Sequence, residues 1–362
     1  MNQTGSSFIK KGIHTMEQYK IIGIDLAKTK FHIVALNQNL QISYKKMIKR
    51  NELMLEINQN FPKSSTFAFE ACGGCHYMAQ QLNENGYESI IILKPKDVKP
   101  YAKSRQKNDT NDALAICKAA LDPQLRHVHP KSKEEQAITF LHKTRANTLK
   151  QRIQKSNALL SSLMEFGFDP NCKKTTFAKQ CESYIQKALE EDFVTEAIYE
   201  QMIEDCKEIQ ALLVREKKCD EAIKASNKKS DRAQLLEKIP GIGPINASML
   251  STKPMESYEA AKEFAASLGL VPRQNTTGGK IQLGSITKQG DRYARTMLVQ
   301  AGRSLVMRSY KPNVPQDEIY DLIKRLREKG KGFNVICVAV ANKLARIAYG
   351  CIVRNKVYQA SA

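Results

Sequence analysis

Short apolar runs punctuated by turn residues fill the first third of the chain. Ile21, Ile22 and Ile24 lead to Asp25, and Phe31, Ile33 and Val34 resume an extended apolar run, so residues 19–36 predict two strands joined by a turn. Two further apolar runs, 66–69 and 89–93, predict strands, and helical patterns lie at 50–60 and 76–85. Strands that then alternate with helices predict an α/β domain with a mixed sheet over 19–130, closed by a helix at 109–121. From 131 to 235 charged and apolar residues alternate at helical spacing. Tyr199, Met202, Ile203, Cys206, Ile209, Leu212 and Leu213 form one face, as do Leu149, Ile153, Leu160 and Leu163. Phe166-Gly-Phe-Asp-Pro170 breaks the pattern, which predicts two long helical arms with an irregular middle. Such one-faced helices pack on each other or on a second copy, as in coiled coils, and dimerisation through 131–235 is expected. Residues 236–362 predict a compact helical domain with a Gly-rich middle and a basic run from Lys324 to Lys331. Residues 1–18 are a polar lead-in with no signal-peptide core.

Composition sharpens this picture. The chain has 362 residues, 42% of them hydrophobic, enough for real cores in two or three domains. Lys and Arg number 57 against 37 Asp and Glu, and a net charge of +20 calls for a polyanionic partner. Nucleic acid fits best, since each phosphate contact releases counterions. With no Trp and few aromatics, contact with the backbone is expected to outweigh base stacking. The longest apolar runs are too short to span a bilayer, and no membrane partner is expected. Nine scattered cysteines do not form a disulfide framework, and a reducing cytoplasm is expected, close to the nucleoid. Cys72-Gly-Gly-Cys75 lacks the second ligand pair of a zinc site.

Three motifs carry chemistry. Asp25 and Glu70 each end an apolar strand, while Asp109 and Asp112 stand at i and i+3 near a helix start and share one face. Two carboxylates at strand ends plus two on a nearby helix are what a paired divalent-ion site acting on a phosphodiester requires. Any one of them alone is an ordinary turn or cap residue. The second motif, residues 239–247, carries Gly241 and Gly243 in Pro-Gly-x-Gly spacing between apolar helical segments. It is similar to a helix-hairpin-helix turn, in which backbone N–H groups grip a phosphate; a plain helix-helix turn has the same composition. The third, residues 268–303, sets Gly278, Gly279, Gly284 and Gly290 among Lys280, Lys288, Arg292 and Arg295, a basic loop suited to nucleic acid. His32 reads as a structural strand residue. His127 and His129 read as the end of a helix, and His76 follows the cysteine pair close to Glu70.

GIDLAK, FEACGG and KNDTNDA resemble the N-terminal domain of a family of bacterial insertion-sequence transposases, whose better-understood members are recombinases guided by a bridge RNA. The resemblance implies a ribonuclease-H-like (RuvC-like) DEDD domain with Asp25, Glu70, Asp109 and Asp112 as the acidic tetrad, holding Mg²⁺ or Mn²⁺. Lys94, Lys96, Lys99, Lys103, Arg105 and Lys107, with Ser104 and Tyr101, then read as phosphate contacts. Residues 268–303 resemble the same family's C-terminal transposase domain, in which a serine before Gly-Gly-Lys is thought to attack DNA covalently. This chain departs there, with Thr276 and Thr277 before Gly278. Thr276 stands at the aligned position; Thr277 and Ser285 are alternatives, and an impaired copy is another. What the resemblance implies is DNA transposition by a homodimer or larger oligomer with a structured guide RNA. The alternatives are a metal-dependent nuclease of the Holliday-junction-resolvase kind that uses water, and an inactive nucleic-acid-binding copy.

Overall fold

The computed structural model describes residues 19–102, 109–277 and 280–360, with backbone alone at 109, 110, 175, 277, 280 and 281. The expected contacts Lys103, Arg105, Lys107, Gly278 and Gly279, and Ser104, lie outside the described residues. The chain divides into two compact units, Met1–Lys133 and Glu134–Ala362.

The first unit runs β1 (Ile21–Asp25), β2 (Lys30–Leu36), β3 (Ile42–Lys49), α1 (Leu53–Asn60), β4 (Phe67–Glu70), α2 (Cys75–Glu84), β5 (Ile90–Leu93), α3 (Pro95–Val98) and α4 (Asp109–Ala120). The five strands form one mixed sheet in the order β3-β2-β1-β4-β5. β1, β2 and β3 pair antiparallel, and β4 and β5 run parallel to β1. This order and these directions are compatible with a ribonuclease-H-like domain. β3 is a strand beyond those expected.

Alternation along β1 decides which face is which. Ile22 and Ile24 join Ile33, Phe67 and Phe69 in a core closed by Leu53, Ile57, Met78 and Leu82 of α1 and α2. Ile21 faces the other way, with Val34, Ala68 and the α4 residues Ala113, Ile116 and Cys117. Gly23 allows α4 to approach on that side: a Cβ there would lie 2.4 Å from the Ala113 carbonyl oxygen and 2.6 Å from Cys117 Sγ. The Cys117 thiol donates to Val34 O at 3.3 Å, so the helix rests directly on strand backbone.

The second unit begins with the arms α5 (Lys133–Glu165) and α7 (Glu196–Asn227). Arg145 pairs with Asp220 and Arg152 with Glu216 at 2.9 Å, an antiparallel match between the arms of one chain. The region between them is not irregular: α6 (Lys174–Glu190) packs Phe177, Cys181 and Ile185 against Met202, Cys206 and Ile209 of α7. Cys181 and Cys206 form a disulfide there, a single bridge that the scattered spacing of the cysteines did not announce. Sequence cannot show which cysteines face each other when 25 residues separate them.

Next come α8 (Asp231–Glu237), α9 (Pro244–Ser251), α10 (Ala261–Ser267), the strands β6 (Pro272–Thr277) and β7 (Lys280–Ile286), α11 (Arg292–Arg308), α12 (Glu318–Glu328) and α13 (Phe333–Arg354). The expected Gly-rich loop is an antiparallel hairpin, with Thr276 opposite Ile281 and Gln274 opposite Leu283. This part is therefore helical with a small sheet, rather than wholly helical. α13 is long and apolar enough to cross a membrane by composition alone. Here it is the central core helix, burying Val340, Ala341, Leu344 and Ala345 among α10, α11 and α12.

Candidate active site

The parallel strands β1, β4 and β5 end on one edge of the sheet. Glu70 pairs in register with Leu93, and Ile24 with Phe69, so Asp25, Glu70 and Lys94 follow one another along that edge. Asp112 reaches the same place from α4, which the packing at Gly23 holds against β1. Burial raises the Glu70 carboxyl above its ordinary range, and the negative charges of Asp25 and then Asp112 raise it further. Three of the four expected acids thus share one electrostatic environment. Asp109 lies one helical turn before Asp112 at the start of α4. Among the described residues, no group of three or more His, Cys, Asp or Glu is set closely enough to hold a metal ion as it stands. The set still suits a hard divalent cation, because its carboxylates supply only anionic oxygen and repel one another.

His32 was read as structural, yet the β1–β2 register sets it directly across from Asp25. That placement was legible once a hairpin over 19–36 was assumed, because antiparallel partners then add to a constant. Lys94 precedes the first turn of α3, and Lys96 and Lys99 are exposed nearby. Tyr101 donates its hydroxyl to Asp122, so it serves the fold here. His76 accepts from the Lys131 backbone N–H at 3.2 Å, and His127 and His129 flank Val128, whose N–H bonds Ile92 O at 2.7 Å. Burial pushes both the Cys72 and Cys75 thiols up, away from the thiolate form a zinc site uses.

In the second unit Thr276 lies on the exposed hairpin, where Gln274 Nε2 donates to its Oγ1 at 3.2 Å. Thr277 pairs with Lys280 next to the turn, and Ser285 lies at the opposite end of β7. Arg292 and Lys288 are exposed. Arg295 binds the hairpin's root, donating from Nη1 to Leu268 O at 2.9 Å and Gln289 O at 2.8 Å. Asp291 caps α11 through Ala294 N–H and pairs with Lys253 at 2.5 Å. Beneath them the buried His142 ring bonds Ser248 Oγ and Tyr293 Oη, each at 3.1 Å. At the turn before α9, exposed Gly241 and Gly243 flank buried Ile242. Gly241 has φ +80°, and a Cβ there would lie 2.6 Å from Leu305 Cδ1, so the backbone requires glycine whatever binds the turn.

The comparisons with known proteins cover both sites. A DEDD transposase profile of the IS110 type matches residues 22–167, and the profile of the transposase IS116/IS110/IS902 family matches residues 233–316. A probable family 20 transposase of Pseudomonas aeruginosa is 33% identical over 347 residues, 93% of this chain and 98% of its own length. The chain belongs to the IS116/IS110/IS902 transposase family. A transposase for insertion sequence element IS1328 of Yersinia enterocolitica is 32% identical, covering 95% of this chain and 99% of its own. A putative transposase, y4pF/y4sB, of Sinorhizobium fredii is 31% identical over 97% of this chain and 88% of its own. IS110-type transposases act on DNA, cutting and rejoining it, and a DEDD domain implies divalent-metal dependence.

Proposed function

We propose that this transposase mobilises an insertion sequence by joining two sites to one DNA phosphate: the acids at the sheet edge and a hydroxyl on the hairpin. The observation that carries the reading is Glu70, whose carboxyl is raised by burial and by Asp25 and Asp112. Acids gathered at strand ends, where burial and their mutual repulsion raise one of them, suit a place built for a cation. Asp25, Glu70, Asp109 and Asp112 would hold Mg²⁺ or Mn²⁺, which when bound polarises the phosphoryl group and stabilises the leaving oxygen.

The Thr276 hydroxyl attacks phosphorus, forming a P–O bond to threonine and breaking the P–O bond to deoxyribose. The hydroxyl proton passes to a base, and the displaced sugar oxygen takes up a proton. Gln274 orients Oγ1, while Lys280 and Arg292 offset charge developing on the phosphate. Lys94 and Lys96, with Lys103, Arg105 and Lys107, would contact the DNA backbone in the first part of the chain, and Lys288, Arg295, Gly278 and Gly279 in the second. Gly241 and Gly243 present backbone N–H groups to a further phosphate.

In this reading residues 19–130 are the RuvC-like part, 131–235 bring copies together as a homodimer or larger oligomer, and 236–362 carry the nucleophile. A structured RNA from the same element serves as guide. The test is a denaturing gel for covalent protein–DNA adducts, using junction DNA, flanking RNA and Mg²⁺. The wild type forms an adduct, and Thr276→Ala and Asp25→Asn both lose it. Cleavage without adduct that survives Thr276→Ala would instead mark a metal-dependent nuclease using water, the reading that threonine in place of serine favours.

A further inference from the structure

An open groove of about 750 Å³ lies between the hairpin's root and one face of α12 and α13. Its floor is aliphatic, from Leu322, Val335 and Val338. Val335 is 57% exposed on a helix whose opposite face supplies the unit's core. Asn334 and Ser285 set an amide and a hydroxyl beside this floor, and exposed Arg325 and Arg346 stand at the rim. Lys343 also lines the groove, but Glu318 pairs with it, so the arginines carry the rim's charge.

The hairpin above has no core of its own. Gln274, Asn275, Thr276, Gln282 and Leu283 are all exposed, Leu283 at 66%. A lone two-stranded ribbon is marginal in water and gains order from what it docks against.

The geometry points to a pocket for a single unpaired nucleotide of the DNA strand that the hairpin engages. A nucleotide has flat apolar faces, a polar edge and an anionic phosphate. The aliphatic floor, the Asn334–Ser285 pair and the two arginines match these in turn. The volume is that of a small-ligand site, which typically runs to ~300–1,000 Å³, and excludes a duplex. Pro272 opens β6 at the groove, and Thr276 stands four residues along, about 14 Å at ~3.4 Å per residue. That is roughly four base steps at ~3.4 Å each, so the extruded nucleotide lies about that far from the phosphate Thr276 reaches. The inference rests on the proposed engagement of DNA by the hairpin.

The test is fluorescence anisotropy of the full chain with a DNA duplex, the same duplex with one bulged base, and the bulged RNA duplex. Bulged DNA is expected to bind at least ~10-fold more tightly than the plain duplex, because its base is already unpaired. Ala339→Phe, which fills the groove, and Val335→Glu, at an exposed position, should each abolish this preference and leave duplex affinity within about twofold. Equal affinity for plain and bulged DNA, or a preference that survives both variants, would overturn the assignment. A stronger preference for bulged RNA would overturn its assignment to DNA. Thr276→Ala separates this from the nucleophile reading. It should keep the bulge preference and lose the adduct; an adduct that persists in it sinks the nucleophile and leaves the groove standing.

Discussion

The acidic edge of the first unit and the hairpin of the second are built on opposite terms. Asp25 and Glu70 end buried strands, and Asp112 sits on a helix pressed so closely on β1 that only glycine fits at position 23. Thr276 stands on a ribbon whose described residues are exposed on both faces, held at its root by Arg295, the capped start of α11 and Asn342 of α13. Carboxylates that repel one another need a rigid core to hold them together before a cation arrives. In the proposed chemistry, a hydroxyl on such a ribbon takes its final order from the DNA it meets.

The largest expected effect breaks the acidic edge. Asp25→Asn should lower strand cleavage by on the order of 10³-fold or more in a gel assay, with the melting temperature preserved. Retained cleavage would remove the sheet edge from the chemistry. Glycine substitutions compare the two regions directly. Gly23→Val should cost about 3 kcal/mol or more in chemical denaturation, since its side chain meets α4 backbone. Gly284→Val on the hairpin, where a Cβ has no neighbour closer than 3.8 Å, should stay within ~0.5 kcal/mol. Similar costs at both sites would contradict the contrast.

Beneath the hairpin, burial and then the nearby charges of Arg145 and Lys253 lower the His142 pKa from 6.5 to about 4, while Asp291 and Asp220 oppose the shift. The unfolded chain therefore binds the extra proton first. Stability from this group is full above about pH 6.5 and falls as pH drops towards 4, by about 3 kcal/mol in all. Denaturation between pH 7 and 4 measures it, and His142→Gln should flatten that slope.

Glu70 has the opposite sign. Its folded carboxyl holds its proton more tightly than the unfolded one, so stability falls as pH rises through its raised value. Glu70→Gln should raise the melting temperature by on the order of 2 °C at pH 8 without metal, and should lose the stabilisation Mg²⁺ gives the wild type. The smallest effect is expected at Gln274→Ala: about threefold slower adduct formation, with unchanged melting.

The strands that burial shapes were legible. β1, β2, β4 and β5 are apolar runs closed by turns, and the helices over 50–60, 76–85 and 109–121 match α1, α2 and α4 closely. β3 was missed because it is an edge strand rich in lysine, with Lys45, Lys46 and Lys49 where a buried strand would be apolar. The hairpin escaped because its strands, exposed on both faces, show no alternation, although Gly-Gly between extended segments is itself a turn signal. α6 was hidden behind the break at Phe166–Pro170, where the periodicity lapses before a new helix starts.

What the sequence determined by itself was kind rather than place: a polyanion-binding charge, a mixed-sheet unit before long helices, acids at strand ends and the family to which the chain belongs. The charge, the order of the units and the acids at strand ends follow from local composition and periodicity, which record which faces are buried; the family follows from motif resemblance alone. Tertiary structure alone decided that Asp25, Glu70 and Asp112 sense one another, that His32 faces Asp25, that Arg295 holds the hairpin's root, and that an aliphatic groove opens beside it. The physical reason is that each depends on register and close approach between segments far apart in the chain, set by packing that no single segment encodes.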